Sequence, residues 1–336
     1  MKILLLSHSF SPDIGGIETI SDILAHQFVA AGHEVRVMTW SVENLSLPGA
    51  FQVIRRPDPA MTFAQVRWSD VVFENNPCFR MSWPALFLFK PTVIALHTWI
   101  ARPSGELSWV DRLKKLKLVT ARSVIAVSEI MRAEMFSSAV VIPNPFKAEI
   151  FAVANESVPT ADFVFLGRLV SDKGVDLAIS AIARLKAENI SCTLTIIGGG
   201  EELERLKAQT LLLDVADRVV FSGSLSGQLL AAELRRHKYM LIPSRWKEPF
   251  GVVALEGLAC GCIPIVADGG GLPDAIGKAG LVFKRGDLND LVAKMKQILT
   301  DQVLEMNLRA EAKSHIASHQ PEPIAKRYLD IITSAA

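Results

Sequence analysis

Short, β-rich apolar runs alternate with amphipathic stretches along most of the chain. Lys2 to Ser7 is the first such run, and a Gly15-Gly16 turn follows it. Ile17 to Ala31 then places Ile20, Ile23, Leu24 and Phe28 at helical spacing, with Gly32 to close the helix. Glu34 to Trp40 reads as the next strand. A β-loop-α-β opening of this kind predicts a doubly wound parallel sheet. Further buried strands are expected at Asp70 to Phe73, Thr92 to Leu96, Ser123 to Val127 and Val140 to Pro143, with helices between most of them.

The pattern pauses over residues 144–160, which have little periodicity and two prolines, and this stretch reads as a linker. A second α/β series then begins at Phe163, with strands near 163–167, 193–197, 219–222, 239–243, 263–267 and 281–283. From Asp287 to Ala336 the chain reads as helical, interrupted at Pro321-Glu322-Pro323. Domains are therefore expected over residues 1–150 and from 151 onward. Open α/β sheets bind ligands at the carboxyl ends of their strands, so two such domains would face a central cleft.

Composition narrows the function classes. A net charge of +1 over 336 residues does not mark a nucleic-acid binder. Cys78, Cys192, Cys260 and Cys262 have no metal-site spacing and suggest no disulfide framework, which fits a reducing cytoplasm. The apolar run after Lys2 is too short for a signal peptide. The longest apolar zone, Met81 to Ile100, is broken by Pro84, Lys90, Pro91 and His97, so no membrane span is expected.

Chemistry concentrates in residues 243–271. An apolar run from Tyr239 to Pro243 ends in a polar turn carrying Glu248. Pro249 sits where a helix would begin, and Val252, Val253, Leu255, Leu258 and Ala259 form its apolar face. Glu256 is then expected about two turns inside that helix. The free N–H groups of Gly251 and Val252 would form an anion site between the two acids. Acids flanking an anion site suit a ligand with hydroxyls on both sides of a phosphate group, such as a sugar nucleotide. A second feature is Arg168 and Lys173, held five apart after the strand ending at Gly167, a suitable clamp for a diphosphate. The aspartates contain no D-x-D spacing, so a metal-held diphosphate is not expected.

The frame Glu248-Pro249-Phe250-Gly251 through Glu256, with Gly167-Arg168 and Lys173-Gly174 upstream, resembles the family 4 retaining glycosyltransferases and their E-x7-E signature. The resemblance spans nearly the whole chain and is weakest over residues 41–70 and 100–120. It implies the GT-B fold: an acceptor-binding domain over 1–150, a nucleotide-sugar-binding domain over 151–318, and a C-terminal helix, 319–336, returning to the first domain. It implies transfer of a sugar from a nucleoside diphosphate donor to a hydroxyl acceptor, without cofactor or metal. Its donor-binding residues would be Gly16, Arg168, Lys173, Glu248, Phe250, Gly251, Val252 and Glu256, and its catalytic residues His97 and Glu248. Glu248 would hold a donor-sugar hydroxyl and Glu256 the ribose hydroxyls. Taken alone, Gly15-Gly16 reads equally as a tight turn and His97 as a polar strand cap. The Gly198-Gly199-Gly200 turn resembles the family loop near the nucleotide base, and serves equally as a strand-to-helix turn.

Residues 102–122 carry Arg102, Arg112, Lys114, Lys115, Lys117 and Arg122 against Glu106 and Asp111, interleaved with Trp109, Leu113, Leu116 and Leu118. This reads as a basic amphipathic helix, either a solvated domain face or a contact for an anionic membrane. By resemblance to membrane-associated members, it suggests a carbohydrate or lipid-linked acceptor and a cytoplasmic enzyme held peripherally at the inner membrane face. Two rivals share the architecture. A sugar-nucleotide epimerase would need acid and base groups around the sugar ring, and a non-catalytic binding subunit would bind donor without turnover.

Overall fold

The computed structural model describes residues 1–13, 15–42, 49–100, 108–153 and 159–336. The chain parts into two units, Met1–Phe146 with His319–Ala336, and Lys147–Ser318. Both contain a parallel sheet flanked by helices, the Rossmann-like architecture expected from the alternating pattern.

The first unit runs β1 (Lys2–Ser7), α1 (Gly16–Ala30), β2 (Glu34–Thr39), β3 (Gln52–Arg55), α2 (Pro59–Trp68), β4 (Val71–Asn75), α3 (Phe79–Phe87), β5 (Thr92–Leu96), α4 (Trp109–Thr120), β6 (Ser123–Ala126), α5 (Glu129–Met135) and β7 (Val140–Val141). Its sheet order is β3-β2-β1-β4-β5-β6-β7. Ile3 to Ser7 is buried throughout, as a central parallel strand covered on both faces requires. The strand order reverses between β1 and β4, so the loops after Ser7 and Asn75 open at the switch point. The short strand β3, whose residues are mostly half-exposed, was not among the expected elements.

The second unit runs β8 (Ala161–Leu166), a single 3-10 turn at Ser171–Lys173, α6 (Val175–Ala187), β9 (Leu194–Ile197), α7 (Leu203–Leu212), β10 (Val219–Gly223), α8 (Gly227–Arg235), β11 (His237–Ile242), α9 (Val252–Ala259), β12 (Ile263–Ala267), α10 (Leu272–Ile276), β13 (Leu281–Phe283), α11 (Leu288–Thr300) and α12 (Gln302–Ser318). Its order, β10-β9-β8-β11-β12-β13, reverses between β8 and β11. The last helix, α13 (Pro321–Ala335), belongs to the first unit. There Tyr328 is fully buried, its ring centroid 5.7 Å from that of Phe73, and Arg327 donates to the Val141 carbonyl at 2.7 Å. Pro321 opens this helix where its missing N–H costs nothing.

The basic helix is real but differently used. α4 starts from a capping box of Ser108 and Asp111. Arg102 and Glu106 lie outside the described residues. Lys117 turns inward, its Nζ 2.6 Å from Glu74 Oε2 on β4 and bonded to Ser82 Oγ on α3, while Leu118 faces the core. The surface cations of α4 and its C-terminal flank are therefore Arg112, Lys114, Lys115 and Arg122. All four cysteines are buried and free. No helix among the described residues is long and apolar enough to cross a membrane.

Candidate functional site

The basic clamp and the first acid come from neighbouring strands at the switch point of the second unit. Arg168 stands two residues past the end of β8, exposed and without a partner among the described residues. Lys173 ends the 3-10 turn that follows, and Gly174 takes a left-handed φ of 69°. A Cβ on Gly174 would lie 2.1 Å from the Pro243 carbonyl oxygen, so only glycine lets this turn lie against the end of β11. The two loops are then tied together. The N–H groups of Arg245 and Trp246 donate to the Asp172 carbonyl at 2.8 and 3.1 Å, and the Arg245 guanidinium binds both oxygens of Asp176 at 2.6 and 2.7 Å.

That closure brings Lys173 Nζ to 2.5 Å from Glu248 Oε1, with the Trp246 ring centroid 5.6 Å from the same nitrogen. Ser244, itself buried, donates its hydroxyl to Glu248 Oε1 at 2.9 Å. Ser244 and Trp246 were not singled out from the sequence. The signal available was their place between a strand end and Glu248.

The helix after Glu248 begins later than its proline suggested. Glu248 makes a strand-like bridge to Gly270, and its carbonyl accepts the Gly271 N–H at 2.7 Å, so Pro249 and Phe250 form a bend between this bridge and the helix. α9 starts at Val252 with Gly251 as its cap, and Glu256 lies in the second turn, not past it. Gly251 has φ 128°, and a Cβ there would meet Leu272 Cδ2 at 2.6 Å. Gly251 supplies no side-chain cap; Ala254 N–H donates to the Gly251 carbonyl at 3.0 Å, while the N–H groups of Gly251 and Val252 make no such bond to a backbone carbonyl outside the helix among the described residues. They form the anion-attracting end of a helix beside Lys173 and Glu248. Phe250 is 1% exposed and packs inside the unit. Glu256 is half-buried, and burial pushes its carboxyl up to about 7 against the opposing pull of Lys147. The Gly198–Gly200 turn packs on the same loop, with Leu169 N–H donating to the Gly199 carbonyl at 2.9 Å.

Two expected residues belong to the first unit. Gly16 begins α1, and no atom of the described residues lies within 4 Å of where its Cβ would stand. His97 follows β5 and is 6% exposed. Its N–H and that of Thr98 donate to Asn76 Oδ1 at 2.7 and 3.1 Å. Asn76 adopts φ 78°, a conformation asparagine tolerates better than most residues. The Asn-Asn-Pro sequence was the legible sign of that turn. Both ring nitrogens of His97 are buried without a hydrogen-bond partner among the described residues. Asn144 lies near enough to raise the imidazole's basicity slightly, but the two make no bond of regular geometry. Burial dominates and drives the pKa of His97 down to about 3, so the ring is neutral at any working pH.

In the second unit, then, a cation, a hydroxyl-binding acid and open helix N–H groups share one corner. Such a corner stabilises negative charge on a phosphate while leaving a carboxylate to hold a neighbouring hydroxyl. Among the described residues no set of His, Cys, Asp and Glu side chains converges on a metal site.

Comparison with known proteins shows the family and the fold. The family described as "Glycosyl transferases group 1" matches residues 146–315, half of the chain. A glycogen synthase of Mycobacterium tuberculosis is 27% identical, over 95% of this chain and 91% of its own. An uncharacterized glycosyltransferase of Methanocaldococcus jannaschii is 35% identical over 82% of this chain and 83% of its own. Among solved structures, Anabaena HepE in complex with UDP and glucose superposes with a TM-score of 0.78 at 20% identity, covering 99% of this chain and all of that one, which supports the GT-B fold. The chain is a glycosyltransferase of GT-B fold, a member of the glycosyl transferases group 1.

Proposed function

We propose that the protein is a retaining, metal-independent family 4 glycosyltransferase that moves a sugar from a nucleoside diphosphate donor to a hydroxyl on a lipid-linked or surface-glycan acceptor. The observation that carries this reading is the Lys173–Glu248 pair beside the uncapped start of α9. The diphosphate would take Lys173, Arg168 and the N–H groups of Gly251 and Val252. Glu248 would hold a donor-sugar hydroxyl and Glu256 the ribose. HepE, of the same fold, is described with UDP and glucose, which supports a nucleotide-sugar donor.

In the reaction, the bond from the anomeric carbon to the diphosphate oxygen breaks as the acceptor oxygen bonds to that carbon on the same face. The acceptor proton passes to the departing diphosphate. Growing negative charge on the leaving group is met by fixed cations and helix N–H groups, which supply the work a metal would otherwise do. His97, being neutral, suits hydrogen bonding to the donor sugar better than general-base catalysis. Gly16 would allow a close backbone approach to the ligand.

A lipid-linked acceptor is supported by the outer surface of the first unit. Trp109 is 73% exposed, and Leu113, Leu116 and Val119 are exposed along α4 among Arg112, Lys114 and Lys115. The Lys117–Ser82 contact joins α4 to α3, beyond which Phe87 and Phe89 are also exposed. Apolar side chains ringed by lysines and arginines suit weak attachment to an anionic bilayer. Sedimentation with liposomes should rise with the anionic lipid fraction and fall for Trp109→Ala with Leu116→Ala. Sedimentation independent of lipid charge would remove this part.

The transferase reading is tested by incubating the protein with labelled nucleoside diphosphate sugars, with and without hydroxyl acceptors. It predicts acceptor-dependent release of the nucleoside diphosphate and an α- or β-linkage matching that of the donor. A changed sugar nucleotide without acceptor would point instead to an epimerase.

A further inference from the structure

A second basic cavity lies in the same unit, at the opposite edge of its sheet from the clamp. It occupies about 340 Å³ beside the amino ends of β11 and β12. Val153 and Pro159 wall it on the approach to β8, and Cys260 and Gly261 close it at the end of α9. Its polar lining is Arg235 from α8, Lys238 from β11, and Glu305 and Arg309 from α12.

The carboxylate in this cavity is already engaged, while two of its cations are not matched by a charge among the described residues. Glu305 Oε1 accepts from Arg309 Nε and Nη2 at 2.9 and 2.7 Å, and Oε2 accepts from the Tyr239 hydroxyl at 2.9 Å. Glu305 thus neutralises Arg309, which also donates to the Gly261 carbonyl at 2.8 Å. Arg235 uses one nitrogen on the Ala152 carbonyl at 3.1 Å. Lys238 has no partner among the described residues. Two positive charges, on Arg235 and Lys238, have no counter-charge among the described residues.

Helix polarity is the simplest rival explanation, because α8 and α9 both end here with their negative poles. Several of their last carbonyls, however, are served by other groups. The Glu233 carbonyl takes the N–H of Arg236 at 3.1 Å, and that of Arg236 takes the N–H groups of Thr160 and Ala161, each at 2.9 Å. The carbonyls of Glu256, Gly257 and Leu258 take the N–H groups of Cys260, Cys262 and Gly261. Neither Lys238 nor the remaining nitrogens of Arg235 are needed as caps.

We propose that this cavity binds the phosphate group of a small phosphorylated metabolite, through Arg235 and Lys238. A doubly charged phosphate matches the two uncompensated cations, and Val153 and Pro159 would cover the apolar side of the ester. A volume of about 340 Å³ is at the small end of ligand sites, room for a phosphate on a body of roughly monosaccharide size. The site is separate from the clamp. α9 spans the distance between them, with Gly251 at the clamp and Cys260 at the cavity.

Inorganic phosphate, titrated calorimetrically at constant ionic strength, provides the test, and it does not depend on the transferase reading. The starting protein is Arg168→Ala with Lys173→Ala, which removes phosphate binding at the clamp. It should still bind phosphate, and adding Arg235→Gln with Lys238→Gln should weaken that binding about tenfold or more. Adding Lys207→Gln with Lys294→Gln, equal in charge change but outside the cavity's lining, should leave it unchanged. In wild-type protein the amide resonances of Lys238 and Gly261 should shift during the same titration, which locates the site without any variant. Retained affinity in the Arg235/Lys238 variant, equal loss in the Lys207/Lys294 variant, or no shift at Lys238 and Gly261 would overturn the proposal.

Discussion

Lys173 and Glu248, 75 residues apart in sequence, meet as an ion pair of 2.5 Å at the mouth of the clamp. Their side chains are 19% and 15% exposed, so water screens the pair only in part. Glu248 thus engages the ammonium proposed to take a diphosphate. Glu248→Gln frees that ammonium while removing the carboxylate proposed to hold the donor sugar. Calorimetry should show the bare nucleoside diphosphate binding about threefold to tenfold more tightly, while sugar transfer falls about a hundredfold or more. Unchanged affinity would mean that the pair does not gate the clamp.

Gly251 should accept no side chain. Its φ of 128° is a region that L-residues rarely enter, and a Cβ would press on Leu272. Gly251→Ala is expected to cost about 1–3 kcal/mol in urea unfolding. It should also weaken nucleotide binding by about tenfold, because the N–H groups at the start of α9 would turn away.

Glu256 should make stability fall with rising pH. Its carboxyl is raised to about 7 in the folded chain from an ordinary value of 4.5. The folded state therefore holds the proton more tightly than the unfolded one. The stabilisation is complete below pH 4.5 and is lost as the pH rises through 7. Glu256→Gln, which stays neutral, should gain stability over wild type between pH 5 and pH 8, by about 3 kcal/mol at most. Urea unfolding at the two pH values measures it.

Lys117 anchors α4 to the sheet. Glu74 is fully buried, accepting from Lys117 and from the Cys78 N–H at 2.8 Å. Lys117→Met would strand that carboxylate and should cost about 3–5 kcal/mol. Adding Glu74→Gln removes the stranded charge and should recover part of the loss, a coupling that a double-mutant cycle of unfolding free energies would reveal.

How legible these features were depended on how local their causes are. The strands Ile263–Ala267 and Leu281–Phe283 fall where the apolar runs placed them, and Ile263–Ala267, buried throughout, shows why: a strand buried on both faces reads as a continuous apolar run. The start of α9 did not follow Pro249, because a bridge to Gly270, distant in sequence, holds Glu248 extended. Periodicity alone put Lys117 among the surface cations. Its partner Glu74 lies 43 residues earlier, inside an apolar strand, and only folding brings them together. β3 was missed because its half-exposed residues leave no apolar run to read. The clamp's components were visible as residues, but the loop contacts that aim Lys173 at Glu248 were not.

The most direct test is thermal unfolding with UDP, GDP, ADP, CMP and TDP, on wild type and on Arg168→Ala with Lys173→Ala. A ligand at about 100-fold excess over its Kd should add roughly 2.7 kcal/mol of stability to wild type. One diphosphate should stand out, and the double variant should lose its effect. Equal stabilisation of both proteins by the same nucleotide would contradict the clamp, and with it the assignment of the donor site.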